Sequence, residues 1–307
     1  MPNGAVARVG LAKQTAFGTR NTSPTPLLTR SYDHNLSVEN VEDNEMFGNI
    51  DVFDSITGNR SVTANLQTRA YPLMVGEFLT GTLGTPVTTG TTNFTHTFTP
   101  GNALPPAYTL AMRTDDTSES AFWVDNARVS QLSIEQTQGQ PLVVTTNYVA
   151  TDRQPGATVS GSVTETAPYL WRHLGVTVNA GAVTTFKNFT VQITNPIENN
   201  YSLDGNSVPN FQEFNGRRAI TFNGTLRFTT DAASYRTQYE QGQTLNLVLL
   251  WTIDANTSLQ ISIPRLKVTN STFTKGPGIM DVNVEGKAYL GGANIMQAIL
   301  RNTRASY

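Results

Sequence analysis

Gly216-Arg217-Arg218-Ala219-Ile220-Thr221-Phe222-Asn223-Gly224-Thr225-Leu226-Arg227-Phe228 reads as a turn feeding a strand, because Ile220, Phe222 and Leu226 alternate with Thr221, Asn223 and Thr225. A weaker copy runs from Gly58 through Arg60 to Arg69, with Val62, Ala64 and Leu66 in the places of Ile220, Phe222 and Gly224, and the two copies stand 158 residues apart. A second pair, residues 129–148 and 268–287, reads strand, Gly/Pro turn, strand, at an offset of 139 residues. The longer spacing in the first half is met by a Thr/Gly/Pro-rich insertion at 81–106, and residues 108–113 answer 245–251 between the paired strands. The expectation is one β-fold written twice; chance similarity between Thr-rich strands is the alternative.

The 307 residues suffice for two domains, each with its own core. The expected division is a first domain at 1–150, a linker at 151–168 marked by Pro155, Gly156, Gly161 and Pro168, and a second domain at 169–307. Only 14% of residues are charged, and the formal net charge is −2. A free-standing nucleic-acid binder needs an excess of basic residues to neutralise phosphates, so that class is disfavoured. The absence of cysteine excludes disulfides and thiolate sites. No stretch is apolar and long enough for a signal peptide or a membrane span, which predicts a soluble protein retained where it is made.

Residues 1–28, Pro-broken and polar, predict an extended arm that takes its contacts from a neighbour. Residues 32–59 carry Asp33, Glu39, Glu42, Asp43, Glu45, Asp51 and Asp54 without a Lys or Arg; residues 188–215 carry Glu198, Asp204 and Glu213, again without one. Each stretch predicts the start of a strand passing into an irregular loop. A solvated acidic loop is the plain reading, and the spacing does not match a calcium loop. Short helices are expected at 72–79 and 231–242, one after each Gly-x-Arg strand, and a small amphipathic helix at 293–300 before the basic tail Arg301 to Arg304. His34, His96 and His173 have no partner at a catalytic spacing and read as polar surface or turn residues. With no nucleophile elbow, zinc motif or phosphate loop, the chain is read as neither an enzyme nor a cofactor protein.

The segment Gly10-Leu11-Ala12-Lys13-Gln14-Thr15-Ala16-Phe17-Gly18-Thr19, the Gly-Arg-Arg strand with its helix, and the closing Gly276-Pro277-Gly278-Ile279 hairpin together resemble the tail tube proteins of long, non-contractile-tailed bacteriophages. The resemblance implies a mainly β fold, a β-sandwich or partial barrel with a flanking helix, here duplicated. It implies stacked rings whose inner strands form a β-barrel conducting double-stranded DNA, with no chemistry and no cofactor. It also implies a virion location after assembly in the host cytoplasm, and tail tip, tape measure and terminator proteins as partners at the tube. Six folds per ring from two-fold chains gives a trimeric ring with pseudo-sixfold symmetry. Glu39, Glu42, Asp43, Glu45 and Glu198 are then candidates for the lumen or the ring junction, where carboxylates repel phosphate. Arg301 and Arg304 are inter-subunit candidates. The rivals are a decoration or minor tail protein that forms no tube, and a carbohydrate-binding sandwich, disfavoured because Trp123, Trp171 and Trp251 all stand in apolar strand contexts.

Overall fold

The computed structural model describes residues 7–43, 54–114, 121–227, 237–238, 240–274, 280–292 and 294–307. It is mainly β. The strands of the N-terminal part are β1 (Arg8–Lys13), β2 (Thr25–Leu27), β3 (Ser31–Asp43), β4 (Asp54–Arg69), β5 (Val87–Thr89), β6 (Phe94–Phe98), β7 (Tyr108–Arg113), β8 (Ala121–Thr137), β9 (Val143–Ala150) and β10 (Asp152–Pro155). Those that follow are β11 (Leu174–Val178), β12 (Gly181–Ala182), β13 (Phe186–Thr194), β14 (Ile197–Asn200), β15 (Phe211–Phe214), β16 (Ala219–Arg227), β17 (Thr244–Thr252), β18 (Ser258–Thr274), β19 (Asp281–Ala288) and β20 (Gln297–Asn302). One α-helix of regular length, α1 (Val75–Leu83), lies among the described residues.

Eight strands run edge to edge in the order β3-β4-β9-β8-β13-β16-β19-β18, every neighbour antiparallel. Two of them are long enough to serve two sheets. The N-terminal half of β8 leaves the run to pair with β7 and β10, and β7 continues to β1 and β2. The N-terminal half of β18 likewise pairs with β17 and β20, continuing to β11 and β12 on one side and to β6 and β5 on the other. The sheets are open within one chain. β14 and β15 form a separate ribbon.

One large apolar core joins the inward faces, taking in Val62 and Leu66 of β4, Ile220 and Phe222 of β16, Leu110 of β7 and Trp251 of β17. Gly224, in the middle of β16, has its place because Phe186 lies where a side chain would start: a Cβ there would meet the Phe186 ring at 2.7 Å. Phe186, Phe189, Phe222 and Trp251 form an aromatic cluster with centroids about 6 Å apart.

Several expectations are corrected. Residues 8–13 and 25–27 of the expected arm are strands of the body; Val9, Leu11 and Ala12 are buried and β7 supplies hydrogen bonds along all of β1. The acidic stretch at 32–43 is strand β3 of a long hairpin with β4, not a loop. The first helix begins three residues later than expected, at Val75, because the carbonyls of Pro72 and Leu73 accept from the Asn302 amide and the Tyr307 hydroxyl instead of from backbone amides four residues on. Its Val75, Phe78, Leu79 and Leu83 are buried at helical spacing, and Gly84, at φ 103°, ends it. Most of 231–242 lies outside the described residues.

The expected helix at 293–300 is replaced by strand β20, whose Ala298, Leu300 and Asn302 are buried with a period of two. Both edges of β20 are occupied, by β18 and β6, and that long-range pairing outweighs a helical pattern of only eight residues. The expected linker starts with β10, and its Ala157 and Val159 pack on Ala111, Ala121 and Trp123. The insertion at 81–106 contributes the end of α1 and the strands β5 and β6, the latter joined to β20.

Candidate functional site

The feature that stands out is the face of the eight-strand run turned away from the core. Along β16 the buried Ile220, Phe222, Gly224 and Leu226 alternate with Thr221, Asn223, Thr225 and Arg227; β4, β9, β13 and β19 repeat the pattern. This outward face is mostly hydroxyl and amide: Thr63, Asn65, Gln67, Thr145, Asn147, Gln131, Ser133, Thr190, Gln192, Thr194, Asn223 and Asn283. Its side chains bond across strands. Asn65 donates to Asn147, Asn147 donates to Gln131 at 3.1 Å, and Thr225 donates to Asn283 at 2.8 Å. Charges are few and of both signs, Asp33, Glu135 and Glu285 against Arg69, Arg227 and Lys287, while Lys187 pairs with Asp281 at 2.6 Å. Such a face is wetted without holding an excess of cations or anions. Its signal in the sequence is amide and hydroxyl side chains at strand period, beneath the more conspicuous acids.

Those acids lie toward one end of the run. Glu39 and Glu42 are exposed on β3, beyond Leu36, in a part of the β3–β4 hairpin where Val38, Val41 and Ile56 are exposed too. Asp43 ends β3, and Glu45 lies outside the described residues. Glu198 is exposed on β14, opposite Glu213, on the small ribbon rather than the eight-strand face. The ribbon nonetheless sits at the same end: Asn199 donates to the Ala150 carbonyl at 2.9 Å, and the Tyr201 hydroxyl to the Arg60 carbonyl at 2.8 Å. Among the described residues no group of acidic and histidine side chains could hold a metal ion.

Within the eight-strand run, the N-terminal strands meet the later ones at the β8–β13 pair, with Gln131 opposite Thr194 and Thr137 opposite Asn188. Just past it Asn195 is buried, donating to the carbonyls of Thr82 at 2.9 Å and Val129 at 3.3 Å and accepting from Arg218 Nε at 2.7 Å. Arg218, of the Gly-Arg-Arg stretch, also reaches the Gly101 carbonyl. Deeper in, the buried Trp251 indole donates to Gln136 Oε1 at 3.1 Å.

Arg301 is exposed on β20, whereas Arg304 is held within its own chain. It pairs with Glu77 of α1 and lies over the Tyr307 ring at 4.4 Å. Tyr307 bonds the Leu73 carbonyl at 2.9 Å and covers Gly76. His96 is corrected from a surface residue to a buried one: Nε2 donates to the Arg304 carbonyl and Nδ1 pairs with the Thr88 hydroxyl, both at 2.8 Å. Burial lowers its pKa, which favours the neutral ring. Trp171 is corrected in the other direction, being 46% exposed in a short 3-10 turn.

Glu165 closes the same cluster, accepting from the Leu73 amide at 3.2 Å, and partial burial pushes its pKa up to about 7. Its folded value lies above the unfolded one, so its contribution to stability is complete below the ordinary carboxylate range and is lost as pH rises through about 7. Glu165→Gln is expected to match the parent near pH 5 and to exceed it by on the order of 1 kcal/mol near pH 8, a figure discounted for partial exposure. Chemical denaturation of both proteins at the two pH values checks this. The difference between them isolates Glu165 from His96, whose shift acts in the opposite sense. An equal gap at both pH values would refute it.

A two-faced strand run, apolar against the core and amide-rich outside, fits many β-proteins. The family comparison decides among them: the phage tail tube protein model matches residues 4–288. The chain belongs to the phage tail tube protein family. A search of curated proteins finds no match. Membership makes this tail tube chain a structural component of the virion tail, in a family that is not an enzyme class. No helix among the described residues is long and apolar enough to cross a membrane.

Proposed function

We propose that the chain carries the tube fold twice and that three chains close into a ring with pseudo-sixfold symmetry. Stacked rings then conduct double-stranded DNA along the amide-rich face. The observation that carries this reading is a pair of matched irregularities. The β7–β8 ladder skips between Tyr108 and Leu110, opposite Ala127 and Val124, and the β17–β18 ladder skips between Leu245 and Leu247, opposite Leu266 and Ile263. Likewise β8 bulges between Val129 and Gln131 and β18 between Val268 and Asn270, the positions that the 139-residue offset superposes. Bulges are specific local features, and two at corresponding places in corresponding ladders argue for a repeat over chance. Three further pairs of ladders correspond as well: β3–β4 with β13–β16, β4–β9 with β16–β19, and β1–β7 with β11–β17.

Strand count favours three chains. Eight strands per chain give roughly 24 around the lumen, and with about 4.8 Å between strands and a tilt near 40° the backbone cylinder is about 48 Å across. After side chains, about 35 Å remains for a duplex about 20 Å wide. Two chains would leave about 20 Å, too little for a hydrated duplex. A neutral hydroxyl and amide lining lets phosphate pass without ion pairs, and Glu39, Glu42, Asp43 and Glu198 add repulsion at one rim, where rings meet. Arg301 is a candidate contact to a neighbouring subunit, and tail tip, tape measure and terminator proteins are the expected partners of the tube. Assembly in the host cytoplasm belongs to the same reading.

Image reconstruction of concentrated protein tests it. Rings of three chains with the amide face inside are expected. Six chains per ring, or one half kept outside the wall, would overturn the duplication reading; protein that never forms rings would favour a decoration role.

A further inference from the structure

The two ends of the eight-strand run are edges: β3 has β4 on one side only, and residues 270–274 of β18 have β19 on one side only, among the described residues. Both edges have an internal counterpart that is not free. β13, which corresponds to β3 at an offset of 157 residues, lies between β16 and β8. The part of β8 that corresponds to 270–274 lies between β9 and β13. Within the chain, therefore, the first half's β8 already grips the second half's β13.

Burial records the difference. Phe189, Val191 and Ile193 of β13 are 2%, 0% and 0% exposed. Their counterparts on β3, Tyr32, His34 and Leu36, are only half-buried, although they point toward the same kind of core. At the equivalent of the buried Asn195 stands Val38, 38% exposed. On the other edge Ser271, the counterpart of the buried Leu132, has a hydroxyl that is buried without a hydrogen-bond partner. Free strand edges with half-covered core residues behind them are the surfaces a second copy completes.

We infer that residues 270–274 of one chain pair antiparallel with β3 of the next, in the register transferred from the internal seam: Asn270 opposite Ser37, Ser271 opposite Leu36, Thr272 opposite Asn35, Phe273 opposite His34 and Thr274 opposite Asp33. This is the internal pairing of Gln131 with Thr194 through Glu135 with Thr190, carried over by the two repeat offsets. It deepens the ring reading and rests on it. The seam buries Tyr32, His34 and Leu36 as their counterparts are buried, and it makes the wall of the ring one uninterrupted sheet. Asp33, Asn35 and Ser37 then continue the amide and hydroxyl face across the junction.

The protein contains no cysteine, so introduced thiols report without background. Asn35 and Thr272 are both exposed, and their counterparts Gln192 and Ser133 face each other across the internal seam. In assembled protein the double variant Asn35→Cys/Thr272→Cys is expected to oxidise head to tail, shifting the non-reducing gel band from one chain mass to two and three, with nothing larger. Mixed single variants are expected to stop at two. The pairs Asp33→Cys/Thr272→Cys and Ser37→Cys/Thr272→Cys, each slipped by two residues, are expected to oxidise at least tenfold more slowly. Rings that form normally while the in-register pair stays monomeric, or oxidises no faster than the slipped pairs, overturn the seam and leave the ring reading standing. A protein that forms neither rings nor cross-links overturns both.

Discussion

Gly76→Ala is expected to lower the stability of the folded chain by about 3 kcal/mol, although alanine is the better helix former by about 1 kcal/mol. A Cβ at residue 76 would lie 2.2 Å from the Tyr307 ring, which is rigid and cannot yield as a flexible side-chain end would. The ring must leave. With it go the hydrogen bonds to the Leu73 carbonyl and from Asn302, the stacking of Arg304 and the edge contact with His96 at 4.8 Å. The cycle with Tyr307→Ala is the sharper measurement. Once the ring is absent, Gly76→Ala should be neutral or slightly stabilising, so the two substitutions should couple by about 2–4 kcal/mol in denaturant titrations. Additive effects would mean that residues 302–307 do not cover α1.

The second large effect is expected at the internal seam. Asn195→Val removes a side chain that satisfies two buried carbonyls and one guanidinium at once, and leaves those of Thr82 and Val129 without that partner. A cost of about 2–4 kcal/mol follows, since each buried group left unpaired costs roughly 1–3 kcal/mol and the groups can partly relax. Valine is also the residue at position 38, which the proposed repeat aligns with 195, so the variant asks whether the internal pairing tolerates the residue of the proposed outer one. Thermal unfolding is expected to shift down by roughly 5–10 °C. Asn195→Asp should recover part of the loss, because a carboxylate still accepts from Arg218. A stability change within about 0.5 kcal/mol would show that the seam is held by strand pairing alone.

The strands that face water on one side were legible in the sequence, because alternation survives wherever one face is buried and the other wet. Ile220 to Leu226 and Val62 to Leu66 read correctly for that reason. So did the hairpin at 129–148, and the 139-residue offset placed Val129 on Val268, where both ladders bulge. What failed depended on partners far away in sequence. β1 is buried on both faces and so lacks alternation, and β20 is a strand because β6, some 200 residues earlier, supplies one of its edges. His96 reads as a Thr-rich loop residue until the Arg304 carbonyl is placed beside it. Asn195 carries no local signal at all. Of the candidate carboxylates, a shared position at one end of the sheet could not be read, since Glu198 arrives there on a ribbon that its sequence does not distinguish from a loop.

The β8–β13 pairing has a kinetic meaning. In a ring of three chains with six folds, three seams are made when each chain folds and only three by collision. Every intermolecular seam must offset lost translational and rotational freedom, estimated at about 4–15 kcal/mol, whereas a tethered seam forms at an effective concentration set by the connecting residues. In the proposed ring, closure would require the encounter of three bodies instead of six, and the concentration at which rings nucleate would fall steeply as a result. Each chain of that ring would thus bring every second seam to the encounter already made.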